Sequence, residues 1–260
     1  MSIQYIQATS NGSTILKKCS NVLQTARLQF HDRVSIGIIE EGSCIAHVDQ
    51  TETLCKNTLI VMPTNYVHWC QPLNVFKWRY QMLFIEKKIF LRQPCPQTVK
   101  LTNLQTKKIL QLFKIITKSH ELSEKEKVDL LKSEFSTFLQ NPQVPPFSTQ
   151  IDSRLTKTVS YMSENYQFPL KINELADLSG ISKYHFIRLF KSNYHLSPAK
   201  YLVNCRVNNA QKDLIQKNNS SMAEIATKMA FMMKVILIGY LNNIPAFHPK
   251  NLNCKLLQDR

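Results

Sequence analysis

The stretch from Ile172 to Leu214, INELADLSGISKYHFIRLFKSNYHLSPAKYLVNCRVNNAQKDL, constrains the fold more than any other part of the chain. It reads as a helix, a tight turn and a second helix. The first runs from about Ile172 to Ser179, with Ile172, Leu175, Ala176 and Leu178 as its apolar side. Gly180 follows, free to take the positive φ that closes a helix. Ile181 fills the space between the helices, and Ser182 is placed to N-cap the second with its hydroxyl. Phe186, Leu189 and Phe190 then recur at i, i+3, i+4, the spacing of one buried face. Lys183, Tyr184, Ile187, Arg188 and Lys191 are left on the opposite face. A tyrosine and an isoleucine among cations suit base edges, thymine methyls and phosphates. By spacing alone, an ordinary amphipathic helix pair reads equally well.

Charge favours the first alternative. The formal net charge is +15. Seven lysines and arginines lie between Ser182 and Lys217 (Lys183, Arg188, Lys191, Lys200, Arg206, Lys212, Lys217) against one acid, Asp213. Concentrating like charge on a helix-turn-helix and the helix after it is most simply explained by a polyanionic partner. Net charge alone says less, since the first 150 residues also carry 18 Lys/Arg against 11 Asp/Glu.

From about Asp152 to Ala230 the chain resembles the DNA-binding domain of the AraC/XylS family of bacterial transcription regulators. The resemblance rests on Ala176, Gly180 and Ser182; on Arg188, Phe190 and Lys191; on Ser197 and Pro198; and on Arg206 and Ala210 of a long linking helix. His195 departs from it, standing where a glycine usually ends the recognition helix. The resemblance implies base contacts by Tyr184, Ile187 and Arg188 and phosphate contacts by Lys183 and Lys191. For Arg206, an ion pair with the domain's own carboxylates competes with a DNA contact.

Members of this family join two such units by the linking helix. Here the second unit begins with Ser221 to Met229, Ser221 and Glu224 standing in capping-box spacing. After Phe231 the expected polar recognition helix is replaced by MMKVILIGYLNNIPAFHPKNLNCKLLQDR, apolar and β-branched, with Gly239 and Pro245 as breakers. Shifting the reading frame by one base, so that each codon takes its first base from its predecessor, turns Met232-Met233-Lys234 into Tyr or His followed by Asp and Glu. Suitable codon choices continue it as YDESHFNRLFKQYSGI(S/P)PKE, a family-like recognition helix aligned without gaps. The expectation is a gene that has lost one nucleotide near codon 231, and no function is assigned to residues 232–260.

The N-terminal part is built differently. Short strand-like runs (Val34–Ile39, Cys44–Val48, Leu59–Met62, Phe76–Phe84) alternate with turn residues such as Gly42, Asn57, Pro63 and Pro72. This predicts a small β-barrel or sandwich. The segment IIEEGSCIAHVDQTETLCKNTLIVMPTNYVHWCQP resembles the cupin-like sensing domain found upstream in many such regulators. His31, His47 and His68 are isolated and form no His-x-His, which argues for packed residues rather than metal ligands. Tyr66, His68, Trp69, Trp78 and Tyr80 either line an apolar effector pocket or are core aromatics. Two helices follow. One carries Leu104, Ile109, Leu112, Phe113 and Ile116 on a stripe; the other opens on the capping box Ser123-x-x-Glu126 and carries Val128, Leu131, Phe135 and Phe138. They cover the barrel, dimerise, or both. Asn141 to Thr149, with three prolines, reads as a linker.

No basic leader followed by an apolar run opens the chain, and its longest apolar run is too short to span a bilayer. Seven scattered cysteines without C-x-x-C suggest reduced thiols in a cytoplasm. No phosphate loop, nucleophile elbow or cofactor motif is present.

The sequence therefore predicts an α+β chain. Residues 1–140 form a cupin-like β-barrel with a helical dimerisation element, 141–151 a linker, 152–231 an all-α domain of tandem helix-turn-helix type with its second unit incomplete, and 232–260 an aberrant tail. The expected function is sequence-specific DNA binding by the Ser182–Ser192 helix in a major groove, impaired by loss of the second recognition helix. The expected partners are double-stranded DNA, a second copy of the chain and, as further candidates, RNA polymerase and a small-molecule effector. No enzyme activity, metal, cofactor or membrane is expected. The alternative is a cupin-type small-molecule enzyme or sensor with no DNA role.

Overall fold

The computed structural model describes residues 2–10, 12–22, 26–90, 94–119, 122–139, 152–215 and 222–229. They divide into two compact units, 2–139 and 152–229. The expected linker and the tail from Met232 lie outside the described residues, as do Ser221 and Phe231.

In the first unit the strands are β1 (Ser2–Gln7), β2 (Thr14–Ser20), β3 (Val34–Glu41), β4 (Ser43–His47), β5 (Thr51–Cys55), β6 (Thr58–Met62), β7 (Trp69–Pro72), β8 (Arg79–Ile85) and β9 (Gln97–Lys100). All pair antiparallel. They form a six-stranded sheet in the order β1-β2-β8-β3-β6-β9 and a three-stranded sheet in the order β5-β4-β7. Among the described residues this is a pair of sheets and not one closed ring of hydrogen-bonded strands, so of the expected barrel or sandwich it is the open, two-sheet form of a cupin-like domain.

The alternation of side chains explains why the larger sheet is buried on both faces. Leu16, Ile36, Leu59, Val61, Leu83 and Ile85 point to one side and join a core with Ile109, Leu112, Phe113 and Ile116 of α1 (Asn103–Lys118) and Leu131 and Phe135 of α2 (Glu124–Leu139). Each such side chain contributes about 1.5–3 kcal/mol on burial. The alternate set, including Lys17, Tyr80, Met82 and Phe84, lines a cavity together with Ala46 of β4 and Cys70 of β7 in the smaller sheet.

Two expectations about these elements needed correction. Phe76 does not begin a strand: Asn74 accepts a hydrogen bond from the Phe76 amide at 3.0 Å, capping a 3-10 turn over Val75–Lys77, and Phe76 is 79% exposed. Leu104 is exposed, and Thr106 takes its place on the buried stripe of α1. The box at Ser123 is formed, its amide donating to Glu126 at 2.8 Å and the Glu126 amide donating back to Oγ at 3.3 Å. A second box, Thr102 with Gln105, opens α1.

The second unit holds α3 (Ser153–Glu164), α4 (Ile172–Leu178), α5 (Lys183–Tyr194), α6 (Pro198–Ile215) and α7 (Met222–Lys228). Leu155, Met162, Leu175, Ala176, Phe186 and Phe190 are buried at the centre. Phe190 stacks its edge on Tyr201 of α6, with ring centroids 5.4 Å apart, which fixes the linking helix against α5. Ile225 of α7 and Met229 just after it are buried as well.

Candidate nucleic-acid interface

The turn between α4 and α5 forms as its residues require. Gly180 has φ +66°, and its amide donates to Asp177 O at 3.0 Å. Ser182 caps α5, its hydroxyl accepting from the His185 amide at 3.4 Å. At the far end His195 sits in the left-handed region with φ +55°, where it ends the helix as a glycine would. The Asp152 amide donates to Asn193 Oδ1 at 3.0 Å, tying the start of α3 to the last turn of α5. Asn193 is a positioning residue that periodicity did not reveal.

The apolar side of α4 is narrower than expected. Leu178 is 47% exposed, and Ser179 is buried instead. The Ser179 and Thr158 hydroxyls lie 2.7 Å apart, and Ser179 also donates to Leu175 O at 3.1 Å, so the buried polar pair is satisfied.

On α5, Phe186 and Phe190 are fully buried and Leu189 is half-buried. Lys183, Tyr184, Arg188 and Lys191 are exposed, and Ile187 is half-buried at the edge of the same face. Tyr184 is 78% exposed. No side chain of Lys183, Arg188 or Lys191 makes an ion pair among the described residues. Elsewhere in the unit three cations are matched, Arg154 with Asp152 at 2.6 Å, Lys171 with Glu174 at 3.7 Å and Lys228 with Asp213 at 2.7 Å, whereas Lys157 and Lys200 are exposed and make no ion pair among the described residues. The Arg154 guanidinium holds the Asp152 carboxyl down at about 2.

Arg206 belongs to the scaffold, but not through the carboxylate expected for it. Its Nε donates to Tyr166 O at 2.8 Å and its Nη2 to Phe168 O at 2.9 Å, clamping the loop before α4 to α6.

In the first unit, four of the five expected pocket residues (His68, Trp69, Trp78, Tyr80) line a cavity of about 60 Å³; Tyr66 does not. Instead the Tyr66 carbonyl accepts from His68 Nδ1 at 2.9 Å. Burial pushes the His68 imidazole down to about 4 and lowers His31 beside it well below its usual value, their rings lying 5.0 Å apart. Lys17, His31, Gly37, Met82 and Phe84 also line the cavity. Spacing does not reveal Lys17, Gly37, Met82 and Phe84 because their signal lies in strand pairing, which brings β2, β3 and β8 side by side.

Comparison with known proteins adds a second line. The profile of a helix-turn-helix domain family matches residues 175–233. YbfI of Bacillus subtilis (strain 168), described as an uncharacterised HTH-type transcriptional regulator, is 25% identical over 214 residues, 75% of this chain and 76% of YbfI. The raffinose operon transcriptional regulatory protein RafR of Pediococcus pentosaceus is 29% identical over 115 residues, covering 42% of each chain. An apo crystal structure of ToxT from Vibrio cholerae superposes with a TM-score of 0.64 at 11% identity, covering 92% of this chain and 96% of ToxT, a likeness of fold.

Proposed function

The chain is a DNA-binding transcription regulator of the AraC/XylS helix-turn-helix family, and from that premise we propose that α5 is its recognition helix. Tyr184, Ile187 and Arg188 read base edges, while Lys183 and Lys191 grip phosphates. The observation that carries this is the composition of one face: three exposed cations without ion pairs among the described residues and a tyrosine 78% exposed stand together on α5. Cations and an exposed aromatic gathered on one helix face suit a phosphate backbone and the base edges beside it. The domain match displaces the alternative of a chain with no DNA role.

The finer reading follows the same logic. The cavity of the first unit holds a small-molecule effector, α1 and α2 carry a homodimer contact, and the protein works in the cytoplasm, with RNA polymerase as a further partner. The profile match ends at residue 233, two residues beyond Phe231, which supports a second unit cut short by a shifted reading frame.

The test is duplex binding on the gene's own upstream DNA across a salt series. Affinity should fall linearly in log–log form, with a slope of about −0.9 per phosphate neutralised. Lys183→Ala and Lys191→Ala should each reduce that slope by about one contact. Slopes unchanged in both variants would remove α5 from the interface.

A further inference from the structure

The cavity of the first unit contains two polar groups that have no hydrogen-bond partner among the described residues. Lys17 stands in the middle of β2, opposite Tyr5 on β1 and Met82 on β8. It is 6% exposed, and its amine makes no hydrogen bond or ion pair among the described residues; Nζ lies 5.3 Å from the centroid of the Tyr80 ring. Trp78 is 2% exposed, and its indole Nε1–H finds no acceptor. Both residues line the same cavity. An unpaired lysine and an unpaired indole donor are each costly to bury, and here both lie in one place.

The neighbours define what would complete them. Ile60, Met62, Met82 and Phe84 make most of the cavity wall apolar. Burial keeps His31 and His68 neutral and lowers Lys17 as well, but the lysine starts from a far higher value, so among the described lining residues it is the group that carries positive charge. A dianion would be left with unbalanced charge, and a sugar would find too few polar partners for its hydroxyls. The volume of about 60 Å³ corresponds to about four to six water-sized probes at roughly 10–15 Å³ each. Gly37 sets part of that volume: a Cβ there would come within 2.6 Å of Met82 Cε.

We propose that this cavity binds a short monocarboxylate of about two to four carbons, with its carboxylate oxygens on Lys17 Nζ and Trp78 Nε1 and its alkyl end against Met82 and Phe84. This rests on the reading of the cavity as an effector site and names its chemical class. The ligand restores the missing partner of a buried cation, so the liganded unit is more stable than the empty one.

The experiment is thermal denaturation and calorimetric titration of the full chain with sodium acetate, butyrate and octanoate, and with butanol and butylamine as neutral and cationic probes. Butyrate should raise the melting temperature and bind at least tenfold more tightly than butanol or octanoate, and butylamine should not bind. Lys17→Met should lose the butyrate response at least tenfold, and Trp78→Phe should weaken it while leaving the preference for acid over alcohol. Should Lys17→Met fail to fold, the Trp78→Phe titration and the butyrate-to-butanol ratio in the unaltered chain still decide the matter. Butanol binding as tightly as butyrate would overturn the acid class and leave an effector site standing. No binding by any probe would overturn both, and an undiminished butyrate response in Lys17→Met would remove Lys17 from the site.

Discussion

Arg188 and Lys191 share the exposed face of α5 but differ in what they can do there. A guanidinium can meet guanine O6 and N7 together, whereas an ammonium acts as a point charge on phosphate. Arg188→Ala should therefore cost about 1–3 kcal/mol of specific binding and relax preference at one base position, and Lys191→Ala should weaken all sequences about equally. Binding-site selection with a frame-restored protein measures both, and identical sequence preference in the Arg188 variant and its parent would sink the assignment. His68 supports a different prediction. Its folded value near 4 lies below the usual 6.5, so between these two pH values the unfolded chain holds the extra proton. Stability is then fully present above about pH 6.5 and falls as pH drops toward 4, by roughly 2–4 kcal/mol. His31, lowered in the same direction, adds to the slope. In His68→Phe the dependence of the urea midpoint on pH over that window should flatten; an unchanged slope would show that His68 is not its source. Residue-level roles of this kind were only partly legible. The exposed face of α5 could be read from spacing, but Lys17 could not, because a lysine in TILKKCS looks like a solvated strand residue until β8 is laid beside β2.

Helix ends carry a clear stability signal in the helix-turn-helix. Gly180 has φ +66° with nothing within 4 Å of where a Cβ would stand, so Gly180→Ala is strained by its backbone alone. It should cost about 1–2 kcal/mol. His195 has nearly the same φ without the freedom of glycine, so His195→Gly should stabilise by about 1 kcal/mol. Denaturant midpoints of the two variants should move in opposite directions; a shift of the same sign in both would mean that side-chain contacts, not the left-handed backbone, control this turn. The caps and turns of α4, α5 and α2 were legible because each depends on residues within four positions of one another. The strands were less so. β1, β2, β5, β7 and β9 are short or carry mixed polar residues, and their partners are distant in sequence: β2 pairs with β8 some sixty residues on. Likewise the apolar stripes of α1 and α4 read one position wider than the buried faces, at Leu104 and Leu178, since a stripe shows which residues could be buried and only packing decides which are.

For the whole molecule the controlling question is how many recognition helices it presents. One unit is complete, with α4, its turn and α5 in place, and α7 is proposed as the first helix of another. On the proposed loss of one nucleotide near codon 231, suitable codon choices would supply α7 with a polar, family-like partner helix that reads on without a gap. Specific binding exceeds non-specific binding by roughly 4–10 kcal/mol in such proteins, and two successive grooves share it. Loss of one helix then removes about half, on the order of a few hundred-fold in affinity. Inserting one nucleotide at codon 231 should recover that factor and steepen the salt dependence at the same time, because the restored helix adds phosphate contacts as well as base contacts. Band shifts of the two proteins on the gene's upstream DNA, at matched salt, measure both quantities together. Restored affinity with an unchanged salt slope would mean that the insertion acts through folding alone, whereas equal affinity in the two proteins would mean that residues 232–260 already supply a working contact and that the frame-loss reading is wrong.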